Sequence, residues 1–371
     1  MQFDDLASYK FYFDKEGEDD RIATAIDCFE TCIYIILKNK YPDEGDMITP
    51  LFLREINPTL WIDNTTGIFR IHNPNDNIIP LWKKFVKVEQ LEKRHDEPAM
   101  QLLESLLEKN QMVMVQTVFA KIKYYAWHNP EYDVNTFVDG CDNHVSLVLG
   151  CEDDKIYFLD KKPYNLDMQY FVPCDFNREI SIGDKKEFQE AFNYLLRCYV
   201  PSLDEAKVKE PAVYEKDLKE MLLKITEDYY APAENVNGIT KYYGASALQK
   251  LIEMCEAGED IQNYYIIPDW QLLGNVTFDL WLIKGARSIM KEYVKDKAEK
   301  IKKPERLYRL IELLTKSVMY WDNLSAMFVK VIKSDGMRLN EKIANFVRKI
   351  TSLENELNLE IRSVLQNDLL S

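Results

Sequence analysis

A cysteine, a histidine and an aspartate in this chain stand in settings that suit nucleophilic catalysis. Cys28 lies in "TAIDCFETCIYIILKNKY" (residues 24–41), directly after Asp27 and at the head of a strongly apolar helical pattern. Asp27 suits an N-cap and Glu30 follows three residues later, a D-x-x-E variant of the capping box. Cys28 then falls in the first turn, where unpaired N–H groups and the positive end of the helix dipole stabilise a thiolate. Such placement can bring a thiol pKa from about 8.5 down into the range of roughly 3.5–7.5. Cys32, one turn deeper, lacks that advantage and reads as a packing residue. A buried structural cysteine would account for Cys28 taken alone. A nucleophile, by contrast, needs a base within hydrogen-bond reach and a group to orient that base.

The chain has four histidines. His72 in "RIHNPNDN" and His95 in "EKRHDEPA" sit in polar, loop-like settings, and His128 in "YYAWHNPEY" sits among aromatics before a proline. His144 differs: it opens the apolar run "HVSLVLG", followed by "CEDD" and then "KIYFLD", which ends at Asp160. Two such runs form a hairpin. If Gly150 opposes Asp154 across a three-residue loop, then 148 opposes 156, 146 opposes 158, and His144 opposes Asp160. Cross-strand neighbours have Cβ atoms about 5 Å apart, near enough for the carboxylate to fix the imidazole tautomer. A loop one residue shorter or longer puts the two on opposite faces. Each residue also has a plainer reading, His144 as a strand end facing solvent and Asp160 as a turn residue before "KKPYN".

The elements that must hold these groups follow from periodicity. A helix over 27–40, with Phe29, Ile33, Ile36 and Leu37 forming one buried stripe, is stopped by "YPDEGD". Residues 56–77, rich in Asn, Pro and Gly, read as loop, and "EPAMQLLESLLEKN" (97–110) as a second helix. Strands are expected over 112–119, 144–150 and 155–160. "VPSLDEAKVKEPAVY" (200–214) reads as a charged, Pro-bounded linker. Beyond it, residues 306–333 and 340–366 show the three-and-four spacing of long amphipathic helices packed as a bundle. The expected class is α+β: a first domain over 1–200, in which the nucleophile helix packs on an antiparallel sheet, and a helical domain over 201–371.

Composition narrows the function. The 371 residues carry 47 Lys+Arg against 62 Asp+Glu, a formal net charge of -15. A body this acidic is a poor nucleic-acid binder, because phosphate neutralisation dominates that affinity. The start shows no basic segment followed by an apolar core, and no apolar stretch of about 18 residues occurs, so neither a secretory signal nor a membrane partner is expected. The seven cysteines are odd in number and lack paired CxxC spacing. That argues against a zinc site or disulfide framework and for a reducing, cytoplasmic setting.

Taken together, "DCFETCIYIIL", "MVMVQTVF" and "DNHVSLVLGCEDDKIYFLD" resemble, in that order, the papain-like fold in its minimal bacterial form, that of the bacteriocin-leader-processing cysteine peptidases. Within that clan the chain is similar to the butirosin-type acyltransferases and, in kind, to the amide-forming enzyme of closthioamide assembly. "YYAWHNPEY" and "NGITKYYGASALQKLIEM" share in the likeness, which spans nearly the whole chain. The resemblance implies Cys28 as nucleophile, His144 as general base and acid, and Asp160 as the orienting residue. It implies no cofactor on the enzyme and no metal. The acyl donor would be a thioester on the phosphopantetheine arm of an acyl or peptidyl carrier protein, and the acceptor a small amine. A homo-oligomer is left open.

One departure stands out. Papain-like peptidases carry a Gln several residues before the cysteine to complete the oxyanion hole, and the only Gln upstream of Cys28 is Gln2. Besides the Cys28 N–H, the remaining donor candidates are Thr24, Arg21 and Gln116. Losing one such donor costs about 2.7–4 kcal/mol of transition-state stabilisation. That is serious for amide hydrolysis and more tolerable for an activated thioester. The weight therefore falls on amide-forming transfer over a peptidase or amidase, with a non-catalytic papain-like binding module as a further alternative. Tyr124, Tyr125, Trp127 and His128 would line a substrate loop that, with the helical half, excludes water. Residues 284–309 hold ten Lys/Arg against four Asp/Glu, a local basic surface that could steer an acidic carrier or simply be a solvated helix face.

Overall fold

Asp27 ends the extended chain and begins the helix. Its backbone has ψ 173°, and its carboxylate accepts from the Glu30 N–H at 2.8 Å at the start of α1 (Cys28–Lys40). Glu30 through Leu37 are all buried, so the helix is enclosed on every side rather than along the expected single stripe. This computed structural model describes residues 25–42, 45–72, 80–93, 99–109, 112–118, 131, 143–159, 181–192, 196–208, 211–266, 272–302, 304–334, 336–367 and 369–370. After α1 come α2 (Gly45–Leu51), β1 (Thr59–Asp63), β2 (Phe69–His72), β3 (Val86–Lys93), α3 (Ala99–Lys109), β4 (Val113–Val118), β5 (Asn143–Glu152) and β6 (Lys155–Leu159). Then follow β7 (Ser181–Asp184), α4 (Lys185–Phe192), β8 (Leu196–Leu203), α5 (Pro211–Asp228), β9 (Glu234–Val236), β10 (Ile239–Tyr243) and α6 (Gly244–Ala257). Three long helices close the chain: α7 (Leu272–Lys300), α8 (Glu305–Ile332) and α9 (Glu341–Gln366). The class is α+β, with antiparallel sheets and a helical C-terminal region.

The chain divides into two units, Met1–Gly45 with Val86–Asp204, and Asp46–Phe85 with Glu205–Ser371. The expected boundary near 200 is close to the observed one, but residues 46–85 belong to the second unit rather than the first. The reason lies in strand pairing. The stretch 56–77, read as loop, contains the hairpin β1–β2, and β1 pairs with β10 from Thr59↔Tyr243 to Asp63↔Ile239. The Asp63 carboxylate accepts from the Thr65 and Thr66 N–H groups, and Gly67 takes φ 75°, so the turn is built locally.

In the first unit a six-stranded sheet runs in the order β3-β8-β4-β5-β6-β7. Val113, Val115, Val148, Ile156, Phe158 and Cys198 turn to one face and pack against Met100, Leu103 and Leu106 of α3 and Phe188 of α4. Met100, Leu103 and Leu106 recur at three-residue spacing, the apolar stripe of an amphipathic helix. α1 packs on the sheet at β5, β8 and β4. The supposed linker at 200 is in part β8, a strand pairing with both β3 and β4. Pro201 fits there because the described β4–β8 rungs end at Met114↔Tyr199, so its missing N–H costs no bond on that side.

The second unit joins the sheet β2-β1-β10-β9 to its helices. Leu60, Phe69 and Ile71 share one core with Leu251 of α6, Val276 and Leu280 of α7, Phe328 of α8 and Val347 of α9. A charged cluster sits inside the helices. Arg287 of α7 is fully buried and donates to both carboxylate oxygens of Glu354 on α9 at 3.0 and 2.9 Å. Ser317 and Trp321 of α8 donate to the same carboxylate, at 2.5 and 2.8 Å. Three helices are thus tied through one carboxylate. Removing one partner of a buried pair leaves an uncompensated charge and costs about 3–5 kcal/mol. Glu354→Ala is expected to lose about that much stability, read from chemical denaturation followed by circular dichroism, whereas a change at an exposed position of the same helix such as Ser352→Ala stays within about 0.5 kcal/mol.

Candidate active site

α1 lies on the sheet with a defined direction. At its C-terminal end the Tyr41 hydroxyl accepts from the Leu203 N–H at 3.3 Å. Toward its start, Cys32 Sγ lies 3.9 Å from the Val145 carbonyl oxygen, and the Phe29 ring meets the Tyr199 ring edge-on at 5.1 Å. Leu203 ends β8, whereas Val145 is the third residue of β5. The helix N-terminus is therefore carried toward the end of the sheet where β4 finishes, β5 starts and β6 finishes.

Cys28 is half-buried at the head of the helix and Cys151 is half-buried on β5, whereas Cys32, Cys198 and Cys255 are buried; none of these five forms a disulfide. Burial pushes the Cys198 and Cys255 thiols up to about 12 and that of Cys151 up to about 11, which keeps them protonated. Cys141 and Cys174 lie outside the described residues.

His144 is the second residue of β5 and pairs with Thr117, one rung beyond Gln116↔Val145. The hairpin that was to bring it opposite Asp160 has another register. Its turn has two residues, with Glu152 opposite Lys155 and Asp153 at φ 49°, a left-handed conformation that aspartate tolerates. The pairs Cys151↔Ile156 and Gly150↔Tyr157 follow, then Leu149 is an extra residue, and the ladder resumes at Val148↔Phe158 and Leu147↔Leu159. The expected 148–156 and 146–158 pairs do not form. The short turn alone would have reversed the parity between the strands, and the bulge restores it, so even-numbered residues again face even-numbered ones. Asp160 itself lies outside the described residues, immediately after the end of β6. Thr24, Arg21, Tyr124, Tyr125, Trp127 and His128 lie outside them too.

Gln116 is buried on β4 and its Oε1 accepts from the Tyr199 hydroxyl at 2.5 Å. Tyr199 is a neighbour of α1 that periodicity does not reveal, because the sequence places no strand ahead of the linker expected at 200–214. Of the other histidines, His72 sits at the end of β2 in the second unit, half-buried. Burial, with Arg70 and Lys241 nearby, pushes its imidazole down to about 3, so it is neutral near pH 7. Part of the basic run of 284–309 is ion-paired: Lys284 with Asp322 at 2.6 Å, Arg287 with Glu354, and Arg309 with Glu312 and Glu356. Among the described residues, no group of three or more His, Cys, Asp or Glu is placed to hold a metal ion, and no helix is long and apolar enough to cross a membrane. No protein-family model matches the chain, and no curated protein matches it.

Two outcomes follow from this geometry. Limited iodoacetamide treatment of the native protein at pH 7.5, with peptide mapping, is expected to label Cys28 at least tenfold faster than Cys32, Cys151, Cys198 or Cys255. For His72, the folded-state value lies below the unfolded one near 6.5, so the unfolded chain takes up the proton first. Its contribution is therefore complete above about pH 6.5 and is lost as pH falls toward 3. Between pH 7 and 4 the melting temperature should drop more steeply for wild type than for His72→Gln.

Proposed function

We propose that the chain is a papain-like cysteine acyltransferase that forms an amide bond, acting in the cytoplasm on a thioester carried by the phosphopantetheine arm of a carrier protein. The observation that carries this reading is the half-buried Cys28 on the capped first turn of α1, directed to the end of the sheet where β5 starts and β6 finishes. In the reaction, the Cys28 thiolate attacks the thioester carbonyl. A C–S bond forms to Cys28, the C–S bond to the carrier breaks, and the carrier thiolate leaves with a proton from the His144 imidazolium. A small amine then attacks the acyl-cysteine, His144 takes the amine proton, and the Cys28 thiolate is released as the amide forms.

One feature of the strand register bears on the triad. Residue 144 shares its parity with Val148, whose side chain faces α3, and not with Val145. The proposal therefore requires the imidazole to reach the sulfur around the end of the sheet. That end is also where an acyl group on a long flexible arm could enter. No Gln stands shortly before Cys28, so a second oxyanion donor beside the Cys28 N–H would have to come from elsewhere in the chain.

The test is intact-protein mass spectrometry with acylated carrier protein, with and without an amine. An adduct on Cys28 that converts to free amide on adding amine is the expected result, with no adduct in Cys28→Ala and acylation slowed roughly 10²–10⁴-fold in His144→Ala. Turnover of peptides with no use of the thioester would instead identify a peptidase. No adduct under any condition would overturn the reading.

A further inference from the structure

Cys28 can supply one oxyanion donor through its own N–H, and the second must come from elsewhere. Gln116 is 7% exposed, a carboxamide enclosed next to the nucleophile helix. It pairs with Val145, the residue whose carbonyl oxygen lies 3.9 Å from Cys32, one turn along from Cys28. On its other flank it pairs with Arg197 of β8, two residues before Tyr199. Tyr199 in turn holds its ring against Phe29, the residue next to Cys28, while its hydroxyl donates to Gln116 Oε1. Gln116 is thus bracketed by the two contacts that seat the first turns of α1.

A carboxamide can rotate to present either its oxygen or its NH2 group, and only the NH2 group can stabilise an oxyanion. A phenol that donates to Oε1 fixes that choice, because it occupies the oxygen and leaves the amide N–H groups directed elsewhere. The edge-on contact with Phe29 restricts the phenol in turn. We infer that Tyr199 is a positioning residue: it locks Gln116 in the rotamer that presents its N–H to the carbonyl oxygen during attack by Cys28. This rests on the acyl-transfer reading above and gives it the second donor that the missing upstream Gln would otherwise supply. The donor reaches the site from a strand and not from the segment before the nucleophile.

The test separates oxyanion chemistry from the general state of the thiol. Acylation of Cys28 by a short acyl-pantetheine thioester passes through a tetrahedral oxyanion. Alkylation of the same sulfur by iodoacetamide does not, since it is a direct displacement at carbon. Both rates are measured by mass spectrometry for wild type, Tyr199→Phe, which keeps the ring against Phe29, and Gln116→Leu. The expected result is acylation slowed about 10-fold or more in Tyr199→Phe and about 100-fold or more in Gln116→Leu, with alkylation unchanged within twofold in both. The loss should appear in the maximal acylation rate and not in the thioester concentration giving half that rate. If acylation in Tyr199→Phe matches wild type, or if acylation and alkylation fall together, the positioning role is overturned while acyl transfer stands. If wild-type Cys28 alkylates but is never acylated, the acyl-transfer reading falls and this inference with it.

Discussion

A helix buried on every side cannot take its orientation from an apolar stripe, and α1 is such a helix. Its placement is decided at its ends and at single contacts: the Asp27 cap on the Glu30 N–H, the Phe29 ring on Tyr199, the Cys32 sulfur beside Val145, and the Tyr41 hydroxyl on the Leu203 N–H. Everything else in the candidate site depends on this. The cap keeps Cys28 at the first turn, and the three further contacts set which end of the sheet receives that turn.

The β5–β6 hairpin shows a second constraint. A two-residue turn and a bulge at Leu149 each shift parity by one, and together they cancel. The even-with-even facing expected from a three-residue loop therefore survives, but displaced along the strand by one pair of residues. Asp153 accepts the left-handed conformation that the short turn requires, whereas Leu149, with 1% exposure, is the residue the ladder leaves over. Neither feature announces itself in the run "HVSLVLGCEDDKIYFLD". Turn length is a competition between backbone conformations of similar energy, and the packing of Val148 and Phe158 against α3 and α4 decides it.

The second unit is held by charge as well as by apolar area. Glu354 gathers donors from Arg287, Ser317 and Trp321, so that three helices converge on one desolvated carboxylate. On the sheet side, Asp279 of α7 does the same for Arg70 of β2 and the Tyr264 hydroxyl. Such pairs add little net stability over apolar packing, but unmaking them leaves a buried charge, which gives the helices one register in preference to their neighbours. A turn lower on the backbone, Gly244 opens α6 at φ 47°, where any side chain would strike the Tyr229 carbonyl. Of the ten basic residues in 284–309, Arg287 is spent on this internal pairing.

The amino-acid sequence by itself determined the start of α1, the helix at 99–109, the strands that carry Val113, Val145 and Ile156, and the long helices α8 and α9. Each is a matter of local capping, turn chemistry or apolar spacing, which act over a few residues. It also marked Cys28 as the cysteine with a distinctive setting. Only the tertiary structure decided that 46–85 belongs with the C-terminal helices, that Pro201 lies within a sheet strand, that Leu149 is bulged, and that Tyr199 reaches Gln116. These depend on which segments distant in the chain pair with one another, and the choice is made by long-range strand pairing and burial, whose energies no short window of residues contains.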